Sequence, residues 1–269
     1  MRKMLILCMV LGIFVLSGCS SKDTQEDIPE YEAYMISDFK YVSKDNVENT
    51  SIFKIEDTLK NETIKSNVLI KNTSYKKQFI FEQETSIDGS GFIFYETDLY
   101  YYALTNYHKV KLISGYEQQR FIVTDAYGNK YDAFMYEGSK DMTFDLAVMV
   151  FSKKEAVLPV LPIVYGKLSK TARVVSISNP VDEFGDISQG TIKDYYGYQP
   201  DQEVFIPWMD YYTIYAHTCF VDKDSRGGFL LDYDLDVVGI SFAADKQQFD
   251  INEYVLPSEY IVDYLNRVL

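Results

Sequence analysis

The histidines set the first limit on the chemistry that this chain could perform. There are two among its 269 residues, His108 and His217. A metal site built from several histidines is therefore nearly excluded, and we expect neither a metal nor another cofactor. A reaction that needs one imidazole as its base has only these two candidates.

His108 lies in a polar segment that follows an apolar run, and two further motifs come after it. Asp145 opens an apolar run 37 residues later, and Ser225 lies in a polar turn just before a pair of glycines. In this order and spacing the chain resembles a trypsin-like serine endopeptidase of the bacterial extracytoplasmic (HtrA or Deg-like) type. The resemblance runs from about residue 66 to residue 269, with no PDZ-like region expected. Its matching segments are Gly89–Ile93, Leu104–His108, Phe144–Val148, Ser178–Pro180, Gly190–Ile192, Asp224–Gly228 and Tyr254–Ser258.

The resemblance implies a role for each polar residue in these motifs. A serine hydroxyl is a poor nucleophile unless an imidazole takes its proton, and a carboxylate fixes the tautomer of that imidazole. His108 would be the base, Asp145 the residue that orients it, and Ser225 the nucleophile. Backbone N–H groups of the loop that holds Asp224 and Gly227 would stabilise the oxyanion.

The nucleophile loop departs from the family pattern. The family has Gly-Asn-Ser-Gly-Gly or Gly-Asp-Ser-Gly-Gly, whereas residues 224–228 read Asp-Ser-Arg-Gly-Gly. Aligned without a gap, Arg226 takes the nucleophile position and Asp224 the oxyanion glycine. This alignment implies an inactive protease, because a guanidinium has no nucleophilic lone pair at neutral pH. The second alignment treats Arg226 as an insertion or replacement. It keeps Ser225 as nucleophile and puts Lys223 at the oxyanion glycine.

Other residues have simpler interpretations. The segment Ser241, Phe242 and Ala243 resembles the strand edge along which a peptide lies in this family, although it could equally belong to the core. We expect His217 to be structural, and Cys219 to be a small buried residue rather than a reactive thiol.

The candidate residues lie between short apolar runs, which we interpret as strands without helices between them. They indicate an all-β sandwich or barrel. They fall into two sets, joined near residues 158–166, which suggests two barrels. The resemblance implies two six-stranded antiparallel β-barrels of chymotrypsin-like form. Ser258 can cap a C-terminal α-helix with an apolar stripe. The predicted strands cover 67–71, 77–81, 91–95, 100–104, 121–124, 130–134, 146–151, 173–177, 190–192, 211–215, 229–231 and 237–240.

The N-terminus resembles a bacterial lipoprotein signal. Arg2 and Lys3 precede a short apolar run, which ends in Leu-Ser-Gly before Cys19. Cleavage before Cys19 and its lipidation would anchor the chain to a membrane, outside the cytoplasm. The predicted organisation is a signal peptide (1–18), a lipidated flexible tether (19–47), an N-terminal barrel (48–165), a C-terminal barrel (166–257) and a helix (258–269).

The charge of the chain limits its partners. Its net charge is -14, and an acidic surface is repelled by phosphate backbones, so we expect no nucleic-acid binding. Proteins or peptides are the expected substrates or ligands. Three functions are consistent with the sequence: a membrane-tethered serine endopeptidase, an inactive protease homologue that binds peptides or proteins, and a structural surface lipoprotein.

Overall fold

The computed structural model describes residues 29–44, 55–78, 81–154, 156–180, 184–198, 212–221, 226–242 and 253–269. The predictions for Cys19, Lys223, Asp224, Ser225 and Ala243 lie outside these residues, as do those for the signal peptide and the first part of the tether. Within the described ranges, no helix is both long and apolar enough to cross a membrane.

The N-terminal barrel closes from six antiparallel strands in the order β2-β3-β4-β7-β6-β5. Alternating or continuous apolar side chains give these strands a buried face. A single-turn helix, α3, interrupts the sequence between β4 and β5. The elements are β2 (Asn67–Gln78), β3 (Phe81–Glu96), β4 (Tyr100–Asn106), α3 (Tyr107–Val110), β5 (Gln118–Thr124), β6 (Lys130–Met135) and β7 (Leu146–Ser152).

The C-terminal barrel closes from six more antiparallel strands, in the order β10-β11-β14-β13-β12-β9. The amphipathic helix α4 follows its last strand and buries Ile261, Val262 and Leu265. The fold class predicted from the sequence, two six-stranded antiparallel barrels and a C-terminal helix, is confirmed. The elements are β9 (Arg173–Ser178), β10 (Asp186–Tyr198), β11 (Tyr212–His217), β12 (Phe229–Leu231), β13 (Val237–Phe242), β14 (Tyr254–Pro257) and α4 (Ser258–Val268).

One strand prediction was wrong. Residues 77–81 do not form a strand of their own: Lys77 and Gln78 end β2, and Phe81 begins β3. The two strands pair continuously from Asn67↔Phe92 to Gln78↔Phe81. The sequence Asp-Gly-Ser at 88–90, whose composition is typical of a turn, lies inside β3. Its glycine has a packing reason, because a Cβ on Gly89 would lie 2.8 Å from Cγ of Lys109.

The segment before the barrels is packed rather than extended into solvent. A short helix, α1 (Tyr31–Tyr34), and residues to Lys44 lie within the range predicted as tether. Tyr34 and Ile36 are buried, and the Tyr34 ring meets Phe134 edge-on at 4.8 Å. The Tyr102 hydroxyl of β4 donates to the Tyr34 carbonyl at 2.5 Å. The apolar residues of this segment therefore dock onto the N-terminal barrel.

The same segment continues onto the C-terminal barrel. A two-residue strand, β1 (Val42–Ser43), pairs in parallel with β8 (Val164–Tyr165). Lys44 Nζ then lies 2.8, 3.0 and 2.7 Å from carboxylate oxygens of Asp232, Asp234 and Asp236. We call residues 34–44 the strap, because they contact both barrels. Between the strap and β2 lie α2 (Ile55–Asn61) and a 3₁₀ turn (Thr63–Ser66).

Candidate active site

Strand register brings the two predicted acid–base residues together. Strand β4 pairs with β7, and the last pair of that ladder is Asn106↔Leu146. His108 follows Asn106 on the single turn α3, and Asp145 immediately precedes Leu146. The amide of Tyr107 donates to the Asp145 carbonyl at 2.9 Å, which extends the ladder to the aspartate itself.

His108 and Asp145 form a closely held pair. Nδ1 of His108 lies 2.6 Å from Oδ2 of Asp145, and the His108 amide donates to Oδ1 at 2.8 Å. An ionised carboxylate only accepts hydrogen bonds, so a neutral His108 carries its proton on Nδ1 and its lone pair on Nε2. This is the tautomer that a general base requires. Both side chains are partly exposed, at 30% and 20%.

The backbone of Asp145 is also held. Its φ of 55° lies in the left-handed region, which aspartate enters more readily than most non-glycine residues but which remains uncommon. The Asn106 side-chain amide donates to the Asp145 carbonyl at 3.1 Å. Hydrogen bonds at the carbonyl and at both carboxylate oxygens therefore fix the residue.

The described residues of the predicted nucleophile loop, Arg226 and Gly227, contact the N-terminal barrel. The amide of Ser90, on β3, donates to the Arg226 carbonyl at 3.0 Å. The next residue, Gly227, has a φ of +94°, and a Cβ there would lie 2.1 Å from the Ser90 carbonyl oxygen. Thr105, three residues before His108, donates its hydroxyl to that same carbonyl at 2.7 Å. Residues 226 and 227 thus pass directly against the strands that lead to His108.

Ser90 joins the two barrels a second time through its side chain. Its Oγ accepts a hydrogen bond from the amide of Asn179 at 2.8 Å. The Asn179 side chain donates to the Val68 carbonyl at 2.8 Å and pairs with the Asn67 amide group. The sequence motifs contained Ser90 and Asn179, but sequence reasoning gave neither a role. The structure identifies them as the polar link between the barrels beside the site.

The predicted peptide edge is only partly described. Ser241 and Phe242 pair with Val255 and Tyr254 of β14. On its other side β13 pairs with β12 up to Ile240, and the Ser241 amide donates to the Gly228 carbonyl at 2.7 Å. Among the described residues, Phe242 therefore has a ladder partner only on the β14 side. The Ser241 side chain is buried.

The second histidine and the one described cysteine lie in the core of the C-terminal barrel. His217 is buried, and neither ring nitrogen has a hydrogen-bond partner among the described residues. Burial lowers the pKa of His217 to about 4, so its ring is neutral at physiological pH. Burial likewise raises the pKa of the Cys219 thiol to about 12, which keeps it protonated and a poor nucleophile. In the described part of the chain, no group of three or more His, Cys, Asp or Glu could hold a metal ion.

Comparison with known proteins identifies the class. A family model described as a trypsin-like peptidase domain matches residues 89–240, more than half of the chain, so the chain belongs to that family. No curated protein matches it in sequence.

Solved structures with this fold include the Rv3671c protease of M. tuberculosis H37Rv. The chain resembles its inactive form with a TM-score of 0.59 and 18% identity, covering 82% of this chain and 98% of that one. It resembles the inactive form of a serine-to-alanine mutant of Rv3671c with a TM-score of 0.59 and 17% identity, covering 82% and 96%. At these identities the likeness shows the fold.

Proposed function

We propose that this protein is a lipid-anchored member of the trypsin-like peptidase family that receives a protein or peptide outside the cytoplasm. The peptide lies at the junction of the two barrels, beside His108 and at the end of β13, where Phe242 has no β12 partner among the described residues. Arg226 occupies the nucleophile position, so the peptide is bound without being cut.

The hydrogen bond from the Ser90 amide to the Arg226 carbonyl carries this proposal. It supports the gap-free alignment, because residue 226 lies against β3, which pairs with the strand β4 that leads to His108. A guanidinium stays protonated at neutral pH and cannot attack a carbonyl carbon. It can instead hold a carboxylate or a peptide carbonyl through its several N–H donors.

A second candidate function is serine endopeptidase activity through Ser225. The observation that favours it is the 2.6 Å contact between His108 and Asp145. A protein that only binds peptides does not need a base with a fixed tautomer, whereas hydrolysis by a serine does.

The anchoring part of the proposal rests on the first nineteen residues. The charged start, the apolar run and the Leu-Ser-Gly-Cys end at Cys19 support lipidation. Changing Cys19→Ala should release the protein from membranes into the soluble fraction. Unchanged membrane binding and mobility of this variant would show that lipidation is not the anchor.

One pair of measurements separates the candidate functions. The purified protein is treated with a fluorophosphonate probe, and its binding and cleavage of fluorescein-labelled casein, an unfolded protein, are measured in parallel. Saturable binding without labelling or cleavage is the expected result. Labelling and cleavage that disappear in Ser225→Ala would overturn it in favour of the endopeptidase. Absence of binding, labelling and cleavage would leave a structural surface lipoprotein.

A further inference from the structure

The loop that carries Asp145 reaches its position through contacts with the far end of the chain. We call residues 139–145 the aspartate loop. Inside it, Oδ1 of Asp141 accepts hydrogen bonds from the amides of Thr143 and Phe144, both at 2.8 Å. Asp141 also forms an isolated bridge with Leu146. These hydrogen bonds lie within the loop and next to it. Contacts from other elements hold the loop against the rest of the protein.

Strand β11 of the C-terminal barrel holds the middle of this loop. The Tyr212 hydroxyl donates to the carbonyl of Thr143 at 2.9 Å, two residues before Asp145. The Tyr212 ring meets that of Phe144 edge-on, with centroids 5.3 Å apart. Tyr212 is buried. Burial first, and then nearby acids including Asp145, raise the pKa of its hydroxyl. It therefore remains a donor throughout the physiological pH range.

Helix α4 holds both ends of the aspartate loop. The Tyr264 hydroxyl donates to the Ser139 carbonyl. The Arg267 guanidinium lies 3.0 Å from Oδ2 of Asp141 and 5.5 Å from the Phe144 ring centroid. Tyr260, from the same helix, stacks obliquely on Phe144 at 5.4 Å. Side chains of β11 and α4 thus contact four of the seven residues of the aspartate loop, at positions 139, 141, 143 and 144.

This arrangement has a consequence for the site. A residue in the left-handed region persists where its surroundings over-determine the backbone. The His108 contact depends on the direction of the Asp145 carboxylate, which the loop sets. We propose that Tyr212, assisted by Arg267, is a positioning residue that orients Asp145 towards His108. Residues of the C-terminal barrel region thereby orient a hydrogen bond between two residues of the N-terminal barrel, His108 and Asp145.

This inference rests on the proposed function only in taking His108 and Asp145 as the functional pair. Its test requires neither peptide binding nor cleavage. The protein is labelled with ¹⁵N-histidine, and the exchange of the His108 Nδ1 proton with water is measured by NMR. The chain has two histidines, so a His217→Gln variant assigns the signals.

Tyr212→Phe removes one hydroxyl and keeps the ring. We expect the His108 Nδ1 proton to exchange about tenfold faster in this variant, the factor that accompanies loss of one hydrogen bond. Arg267→Met should accelerate exchange only about threefold, because the arginine is more than half exposed and exposed ion pairs contribute little energy. Tyr215→Phe is the matched control. It lies on the same strand, but its ring packs on Tyr195 in a separate core cluster, and exchange should not change.

Three outcomes would overturn the inference. The first is unchanged exchange in a folded Tyr212→Phe protein. The second is equal acceleration in Tyr215→Phe, which would indicate general loosening of β11 rather than positioning. If Tyr212→Phe does not fold, the Arg267→Met variant is used instead. The third outcome is unchanged exchange of the His108 Nδ1 proton in that variant. A failure of casein binding with the expected exchange pattern would contradict the proposed function and leave this inference standing.

Discussion

The amide of Ser90 donates to the carbonyl of Arg226 at 3.0 Å, and this hydrogen bond joins the two barrels near the strand that leads to His108. The contact is between backbone groups, so it is independent of the side chain at residue 226. The loop can therefore keep its course whichever side chain stands at residue 226. The side chain at this position can therefore be changed while the barrels stay joined.

The first prediction is that a reactive serine can be restored at residue 226. The double variant Asp224→Gly/Arg226→Ser restores the family residues at the oxyanion and nucleophile positions of the gap-free alignment, and leaves Ser225 unchanged. If residue 226 is the nucleophile position, the His108–Asp145 pair should activate its new hydroxyl. Labelling by a fluorophosphonate should rise from background to near-stoichiometric. Asp224→Gly/Arg226→Ala is the control and should stay unlabelled. Labelling of the wild type, or none in the double variant, would argue against the gap-free alignment.

A second prediction concerns the tight crossing at Gly227. Gly227→Ala introduces a side chain at a positive φ and places Cβ 2.1 Å from the Ser90 carbonyl oxygen. We expect a loss of about 3 kcal/mol in the free energy of unfolding, from backbone strain together with overpacking. Gly128→Ala is the control, because Gly128 also has a positive φ, +81°, but faces open space. It should cost only about 1 kcal/mol by denaturant titration. Equal losses would show that the crossing is not tight.

A third prediction follows from the buried His217. Burial lowers its pKa to about 4, below the ordinary value near 6.5. The folded protein therefore binds fewer protons than the unfolded chain in this interval, and stability falls as the pH drops from about 6.5 towards 4. The loss approaches about 3 kcal/mol for a shift of this size.

His217→Phe should remove that loss. Its stability relative to the wild type should increase as the pH falls through this window, measured by urea titration at several pH values. His108→Ala serves as the comparison, because His108 is partly exposed. A parallel decline of wild type and His217→Phe would rule out His217 as the source of the acid sensitivity.

A fourth prediction concerns the charged end of the strap. Lys44 is the shared partner of three carboxylates, and Asp232 among them is almost fully buried. Burial raises the pKa of Asp232 even though Lys44 opposes this. Lys44→Met would leave these charges uncompensated. It should lower the free energy of unfolding by about 3 kcal/mol, as measured by chemical denaturation. Lys40→Met, on an exposed residue of the same strap, should change it by less than about 0.5 kcal/mol.

Short apolar runs in the sequence predicted the strands, and the resemblance to the trypsin-like family implied that they form two six-stranded barrels. The sequence also selected His108 and Asp145, whose motifs lie next to strands that pair directly. It did not reveal the long β2–β3 hairpin. Gly89 is required for close packing against Lys109, but a glycine needed for packing cannot be distinguished in a sequence from a glycine needed for a turn. The hydroxyl of Tyr212 and the carbonyl of Thr143 are 69 residues apart, and no local pattern connects them.

The strap also has a consequence for the order of folding. Lys44 and Asp232 are separated by 188 residues, so the ion pairs close one of the longest loops in the molecule. The strap can pack on β4 and β6 early, but its charged end must wait until the β12–β13 hairpin exists. Because of this long separation, we expect closure of the strap over the second barrel to be a late folding step. Variants that slow formation of this hairpin should leave Lys44 without its partners during that interval.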